Sequence, residues 1–355
     1  MGRRATPDLR PHGLASLAAG IVFLLSAAAS LAASWLLVSR LEALAGRAGL
    51  SEGMLGLVAA LAADAPEITA AVSALSHHQT HVGAGVTLGS NVFNLAALLG
   101  LGAAVAGRIV LHRKVIVLSG VVALWLAAVS VLVVTGLLSP AAGIGVVAVV
   151  FVPYVLVLAA EGWPDRLVPR PPAGLTRWLA TAVAQEEAEL EPALPESALH
   201  PRPGGGWADG AVAGAALTAV VLASTVMELT ATTLGARLAV PDIVTGAIVL
   251  AAVTSLPNAV AAVYLANRGR GTAVLSTALN SNALNVIAGF LIPAAIIGLG
   301  PPSGPTTLVT AWYAGLTAAV LAAAYRGSGL RRGAGLAIIA AYLIFLGWLL
   351  AAAYG

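Results

Sequence analysis

Long apolar runs separated by short polar breaks set the pattern of this chain. They lie near 14–38, 52–76, 82–106, 115–138, 141–160, 210–236, 243–267, 272–299, 306–325 and 333–353. A helix needs about 20 mostly apolar residues to cross roughly 30 Å of hydrocarbon, so ten transmembrane helices are expected. The first run is longer than the apolar stretch of a signal peptide and lacks a convincing cleavage site. It therefore reads as a retained helix despite Arg3 and Arg4. Residues 161–208 break the pattern: five glutamates gather between Glu186 and Glu196, beside Pro192, Pro195, Pro201, Pro203 and Gly204-Gly205-Gly206. Such a stretch reads as a solvated cytoplasmic linker between two five-helix halves, residues 1–160 and 209–355.

The two halves repeat. An offset of 191 residues pairs Pro66 with Pro257, Ala70-Ala71-Val72 with Ala261-Ala262-Val263, Ser90-Asn91 with Ser281-Asn282 and Asn94 with Asn285. Over positions 58–97 the register gives 11 identities in 40. Alanine matches are cheap in such a chain, but a proline and a whole Ser-Asn-x-x-Asn pattern are not. Five spans separate equivalent points, and an odd number reverses the helix direction. The expected fold is therefore all-α, with two inverted five-helix repeats, an arrangement in which interrupted helices meet near the midplane. Pro66 and Pro257 are the expected interruptions, each freeing carbonyls of the preceding turn at 62–65 and 253–256.

Composition narrows the function. Of 355 residues, 59% are apolar and 9% charged, against about 25% charged in soluble domains, which excludes a conventional cytosolic enzyme. A net charge of +3 on scattered basic residues offers no nucleic-acid-binding face. Without cysteine there is no disulfide, thiolate metal site or cysteine nucleophile. Alternating the ten spans puts Arg3, Arg4, Arg10 and Arg237 on the side of the termini and the other fourteen of 18 Lys and Arg opposite. Because cytoplasmic loops collect basic residues, both termini are expected outside, in a plasma (inner) membrane.

Polar residues inside the spans carry the chemistry. Asp64 and Glu67, three apart in the second run, share a helical face, and an intramembrane carboxylate is a functional hypothesis by default. Ser90 and Asn94 stand one turn apart, and Ser281 and Asn285 repeat that spacing in the other half. Carboxylate, amide, hydroxyl and carbonyl oxygens suit a hard cation such as calcium or sodium.

These motifs resemble the cation/calcium exchanger superfamily, which includes sodium/calcium exchangers. Ala63-Asp64-Ala65-Pro66-Glu67 with Gly89-Ser90-Asn91-Val92-Phe93-Asn94, and Thr254-Ser255-Leu256-Pro257-Asn258 with Asn280-Ser281-Asn282-Ala283-Leu284-Asn285, are similar to its two signature regions. The resemblance implies a central cation site with Glu67 as first-repeat carboxylate and Ser90, Asn94, Ser281 and Asn285 around it. Positions 63 and 254 would give backbone oxygens, with the Thr254 side chain also available. Helices one and six would slide against the other eight. This chain departs from the family pattern at Asn258 and Asn285, which stand where the family usually has a glutamate and often an aspartate, and at Ala63 and Asp64, which replace Thr-Ser. Asp64 and Glu67 are left as the motif's formal charges.

The expected function is secondary antiport of calcium against sodium or protons, not enzymatic catalysis. The partners would be lipid and inorganic cations, with no covalently bound cofactor. Glu228, near the middle of the sixth span, could replace the charge absent at Asn258 or carry a proton. His77, His78 and His81 form a short loop cluster with metal-binding or pH-sensing chemistry, or a solvated turn. The alternatives are a cation-binding member without exchange, motivated by the two asparagines, and a membrane metal hydrolase. The hydrolase would need histidines about 15 Å nearer to Glu67 along the helix.

Overall fold

The computed structural model describes residues 10–48, 50, 52–159, 174, 177–179, 181–183, 185 and 206–354. The linker expected at 161–208 falls mostly outside them, as do Arg3, Arg4 and the acidic run. The described helices are α1 (Arg10–Arg47), α2 (Glu52–Ala63), α3 (Ala65–Ser76), α4 (Thr80–Ala106), α5 (Arg113–Val134) and α6 (Pro140–Ala159) in the first half. In the second they are α7 (Gly206–Arg237), α8 (Asp242–Asn267), α9 (Gly271–Ile297), α10 (Gly304–Gly327) and α11 (Arg332–Tyr354). Among the described residues nine helices are long and apolar enough to cross a membrane, or ten if α2 and α3, bent by 50° at Asp64, form one broken span.

Polarity is distributed as lipid solvent requires. Leu24, Trp35, Leu222, Val260, Ile296 and Trp348 face outward, whereas Asp64, Glu67, Ser90, Asn91, Asn94, Ser281 and Glu228 are buried. A polar group in hydrocarbon must find a partner inside the protein, so the hydrogen-bonding side chains collect at the centre.

Helices α1 and α7 form a long antiparallel pair. Ser30 and Ser224 hydroxyls meet at 2.6 Å, and farther along Asp209 pairs with Arg40 at 3.0 Å and Arg47 at 2.7 Å. This ion-pair cluster explains two departures from the sequence expectation. The first helix runs to Arg47 instead of stopping near 38, and α7 opens at Gly206, inside the segment assigned to the linker. Where α4 meets α8 the backbones nearly touch: a Cβ on Gly89 would stand 2.5 Å from the Ala247 Cα. No larger residue fits there, and the contact seats the Ser90–Asn94 turn against the second half.

The fold is not wholly helical. Arg108–Val110 (β1) pairs antiparallel with Gly329–Arg331 (β2), joining the two halves between their long helices. Three-residue strands leave no periodicity to read, which is why the sequence shows only loops there.

Candidate functional site

The break between α2 and α3 begins with Pro66. Lacking an N–H, it cannot bond the Ala62 carbonyl four residues back. Ser34 of α1 supplies the missing donor: its hydroxyl reaches the Ala62 carbonyl at 2.9 Å and the Ala63 carbonyl at 3.3 Å. The chain bends at Asp64 and restarts with Glu67 in the first turn of α3. The equivalent Pro257 does not interrupt its helix, contrary to the sequence expectation. The segment Ala251–Asn267 stays continuous through it. Membrane helices tolerate proline where other groups re-satisfy the backbone.

Both carboxylates are tied to the other half. Asp64 Oδ1 accepts from Ser281 Oγ at 2.7 Å and from Asn258 Nδ2 at 3.0 Å. Glu67 Oε1 accepts from Ser255 Oγ at 2.8 Å. The pattern is crossed: Ser255 is the register mate of Asp64 and Asn258 that of Glu67, so each carboxylate bonds the mate of the other. Asn94 Nδ2 donates to Ser281 Oγ and to Asn282 Oδ1, both at 3.1 Å, and Asn285 Nδ2 donates to Asn91 Oδ1 at 3.3 Å. Asn91 and Asn282, themselves register mates, each donate a side-chain amide hydrogen to the other's carbonyl at 3.2 Å.

Several buried oxygens of this cluster make no hydrogen bond: Asp64 Oδ2, Glu67 Oε2, Ser90 Oγ, Asn94 Oδ1 and Asn285 Oδ1. Buried polar atoms are normally satisfied, so such a group of acceptors is a cost that a cation would offset. Calcium takes six to eight oxygens from carboxylates, amides and hydroxyls, the set offered here. A π-helical stretch also follows each motif, Leu95–Leu101 in α4 and Asn285–Leu291 in α9. Such stretches widen a helix and are frequent at functional sites.

Other candidate positions lie elsewhere or point elsewhere. The Thr254 hydroxyl donates to Leu250 and Ala251 carbonyls of its own helix, at 2.9 and 3.4 Å, so it is turned back rather than available. Ala63 sits beside the break with its carbonyl bonded by Ser34. Glu228 is held away from Asn258's partners: its Oε2 accepts from Ser73 on α3 at 2.8 Å, whereas Asn258 bonds Asp64. His77 Nδ1 donates to the Ser73 carbonyl at 2.8 Å, while His81 meets Thr306 at 3.2 Å and His78 occupies the turn at φ 62°. Among the described residues no three His, Asp or Glu side chains gather as a metal-binding group.

Ser255, Asn91, Asn282 and Ser34 belong to the cluster without having been singled out as site residues. Ser255 and the Asn91–Asn282 pair carried a signal, since one is the mate of Asp64 and the other an identity in register. Ser34 carried none, because only the fold places α1 beside the break.

The family model described as sodium/calcium exchanger protein matches residues 18–161 and 210–351, and the chain belongs to that family. Among solved structures, the H+/Ca2+ exchanger CAX is similar at 16% identity and a TM-score of 0.68, over 97% of this chain and 86% of that one. The sodium-calcium exchanger NCX_Mj soaked with 100 mM Na+ and 10 mM Sr2+ is similar at 20% identity and a TM-score of 0.59, over 94% and 98%. At these identities the likeness concerns the fold. No curated protein sequence matches the chain. The protein is thus a multi-pass integral membrane member of an exchanger family.

Proposed function

We propose that the protein is a secondary active antiporter that exchanges calcium for sodium or protons by alternating access, with Asp64 and Glu67 as its charged ligands. Asn94, Asn285 and Ser90 complete the oxygen set, and Ser281, Ser255 and Asn258 orient the two carboxylates. One observation carries the reading: two buried carboxylates, each bonded across to the other half, with unbonded oxygens beside them. Two carboxylates neutralise one divalent ion, which favours calcium over a group of monovalent ions as the tightly held cargo. The names of the similar exchangers, CAX and NCX_Mj, favour the same class of ion.

In this reading the chain has ten spans in two inverted repeats, joined by a cytoplasmic linker that follows residue 160 and ends where α7 opens at Gly206, with both termini outside. Antiparallel running of α1 with α7 and the reciprocal Asn91–Asn282 bonds support the inversion. The α1–α7 pair is the element expected to move.

A second reading, a cation-binding member without exchange, is favoured by Asn258 and Asn285, whose amide groups donate hydrogen bonds at positions where the family usually carries acids. Calcium flux into proteoliposomes under imposed sodium and proton gradients separates the two. Gradient-dependent uptake, lost in Glu67→Gln, supports antiport. Full uptake in Glu67→Gln contradicts the ligand assignment, and binding without gradient-dependent uptake favours the second reading.

A further inference from the structure

The central cluster leaves one buried carboxylate unused. Glu228, on α7, is fully buried, with Oε2 held by the Ser73 hydroxyl at 2.8 Å and Oε1 without a partner. Ser73 lies six residues beyond Glu67, about 9 Å farther along α3, so this carboxylate is separate from the cation cluster. An apolar cluster packs on the same stretch of α7: beside Met227 and Ala231 it holds Phe23 and Ala27 of α1, Ala70 and Ala74 of α3, Val82 and Val86 of α4, and Leu250 and Val253 of α8. Among the described residues the titratable group within electrostatic reach of Glu228 is His77, at the exposed end of α3. Arg237 and Asp242 stand at the ends of α7 and α8, Arg237 about 13 Å along the helix from Glu228.

We propose that Glu228 is a second ion-binding site, specific for a proton, on the seam between the α1–α7 pair and α3. The ligand follows from the donor set. Calcium needs six to eight oxygens, and sodium a similar shell, but here one carboxylate stands with the Ser73 and Thr232 hydroxyls beside an apolar cluster. A proton needs a single oxygen. It arrives from water at the His77 end and forms an O–H bond on Oε1, and no protein bond breaks. The charge of the group falls from −1 to 0.

This site connects to movement. An ionised Glu228 is anchored by Ser73 and resists transfer along the alanine and leucine surface beside it, because a charge in such surroundings is costly. A neutral Glu228 slides along that surface far more readily. Protonation therefore releases the α1–α7 pair from α3, which makes the pair's displacement dependent on a proton. The link to movement rests on the antiport reading, but proton binding at Glu228 does not.

Two measurements on the full chain in lipid test the inference. Infrared difference spectra between acidic and alkaline buffer are expected to show a carboxylic-acid carbonyl band that is lost in Glu228→Gln, retained in Glu67→Gln and altered in its pH profile by Ser73→Ala. Glutamine mimics the neutral acid, so calcium uptake that changes about tenfold between acidic and alkaline buffer in the native protein is expected to change less than about twofold in Glu228→Gln. Calcium affinity in the same variant should stay within about twofold, since the sites are separate. A band unchanged in Glu228→Gln overturns the proposal whatever the flux. A band assigned to Glu228 in a protein that shows no uptake leaves the proton site standing and removes the antiport reading alone.

Discussion

Asn91 and Asn282 are related by the 191-residue register and exchange a pair of hydrogen bonds of equal length, 3.2 Å in each direction, between side-chain amide and backbone carbonyl. Both residues are buried. A reciprocal bond of this kind needs two equivalent turns to face each other with opposite polarity. It pins α4 to α9 beside the two carboxylates. Replacing either asparagine removes one hydrogen bond to a buried carbonyl that still accepts a backbone N–H of its own helix, at a cost of about 0.5–1.5 kcal/mol. Asn91→Ala and Asn282→Ala should therefore lower stability by similar amounts. Thermal unfolding of the two single variants and the double variant should give a coupling energy of about 0.5–3 kcal/mol. Strict additivity would show that the two bonds do not act as a unit.

Asn258 offers a different test, because it stands where the family usually carries a glutamate and donates to Asp64 Oδ1 at 3.0 Å. Asn258→Asp turns that bond into a contact between like charges, which opposes folding unless a cation lies between them. The variant should be less stable than the native protein without calcium and should gain more from its addition. Ligand linkage gives about 2.7 kcal/mol at a hundredfold excess over Kd, so calcium-dependent melting shifts are large enough to compare. A calcium-induced shift no greater than that of the native protein would place Asn258 outside the cation's reach.

Much of this architecture was legible from run lengths and from the internal register. Spans reveal themselves because hydrocarbon demands apolar length, and the register singled out Asn94, Ser281 and Asn285, whose hydrogen bonds run to Asp64, Asn282 and Asn91. The rest depended on how helices rotate and cross, which a single sequence does not encode locally. Ser255 as the donor to Glu67 and Ser34 as the donor to the Ala62 carbonyl are contacts between distant elements. Pro66 and Pro257 look equivalent in sequence, yet the first helix breaks and the second does not. Glu228 was visible as a buried charge, but its partner Ser73 was not.

The role given to Ser34 can be isolated. If Pro66 frees the Ala62 carbonyl and Ser34 satisfies it, Ser34→Ala should cost about 1–3 kcal/mol in the native background. In a Pro66→Ala background the restored N–H can bond that carbonyl, and the cost of Ser34→Ala should shrink to a few tenths of a kcal/mol. Unfolding of the four proteins in one detergent gives the comparison. An undiminished Ser34→Ala penalty in the Pro66→Ala protein would mean that the serine acts by packing rather than by capping the break.

Asp209 ties α1 to α7 through Arg40 and Arg47, at 3.0 and 2.7 Å, and the two arginines are 42% and 23% exposed at their side chains. Exposure of that degree leaves the ion pairs partly screened, so Asp209→Asn should cost about 0.5–1.5 kcal/mol rather than the several expected of a buried pair. Because the remaining arginines then repel across the same gap, added salt should narrow the difference between variant and native protein. At about 1 M ionic strength the Debye length falls to roughly 3 Å, comparable to the pair distances. The salt should be a choline or potassium chloride, so that sodium does not act as cargo at the central site. A stability difference insensitive to salt would show that Asp209 holds the two helices by hydrogen-bond geometry rather than by charge. In that case Asp209→Asn, which keeps a hydrogen-bonding amide, should behave much better than Asp209→Ala.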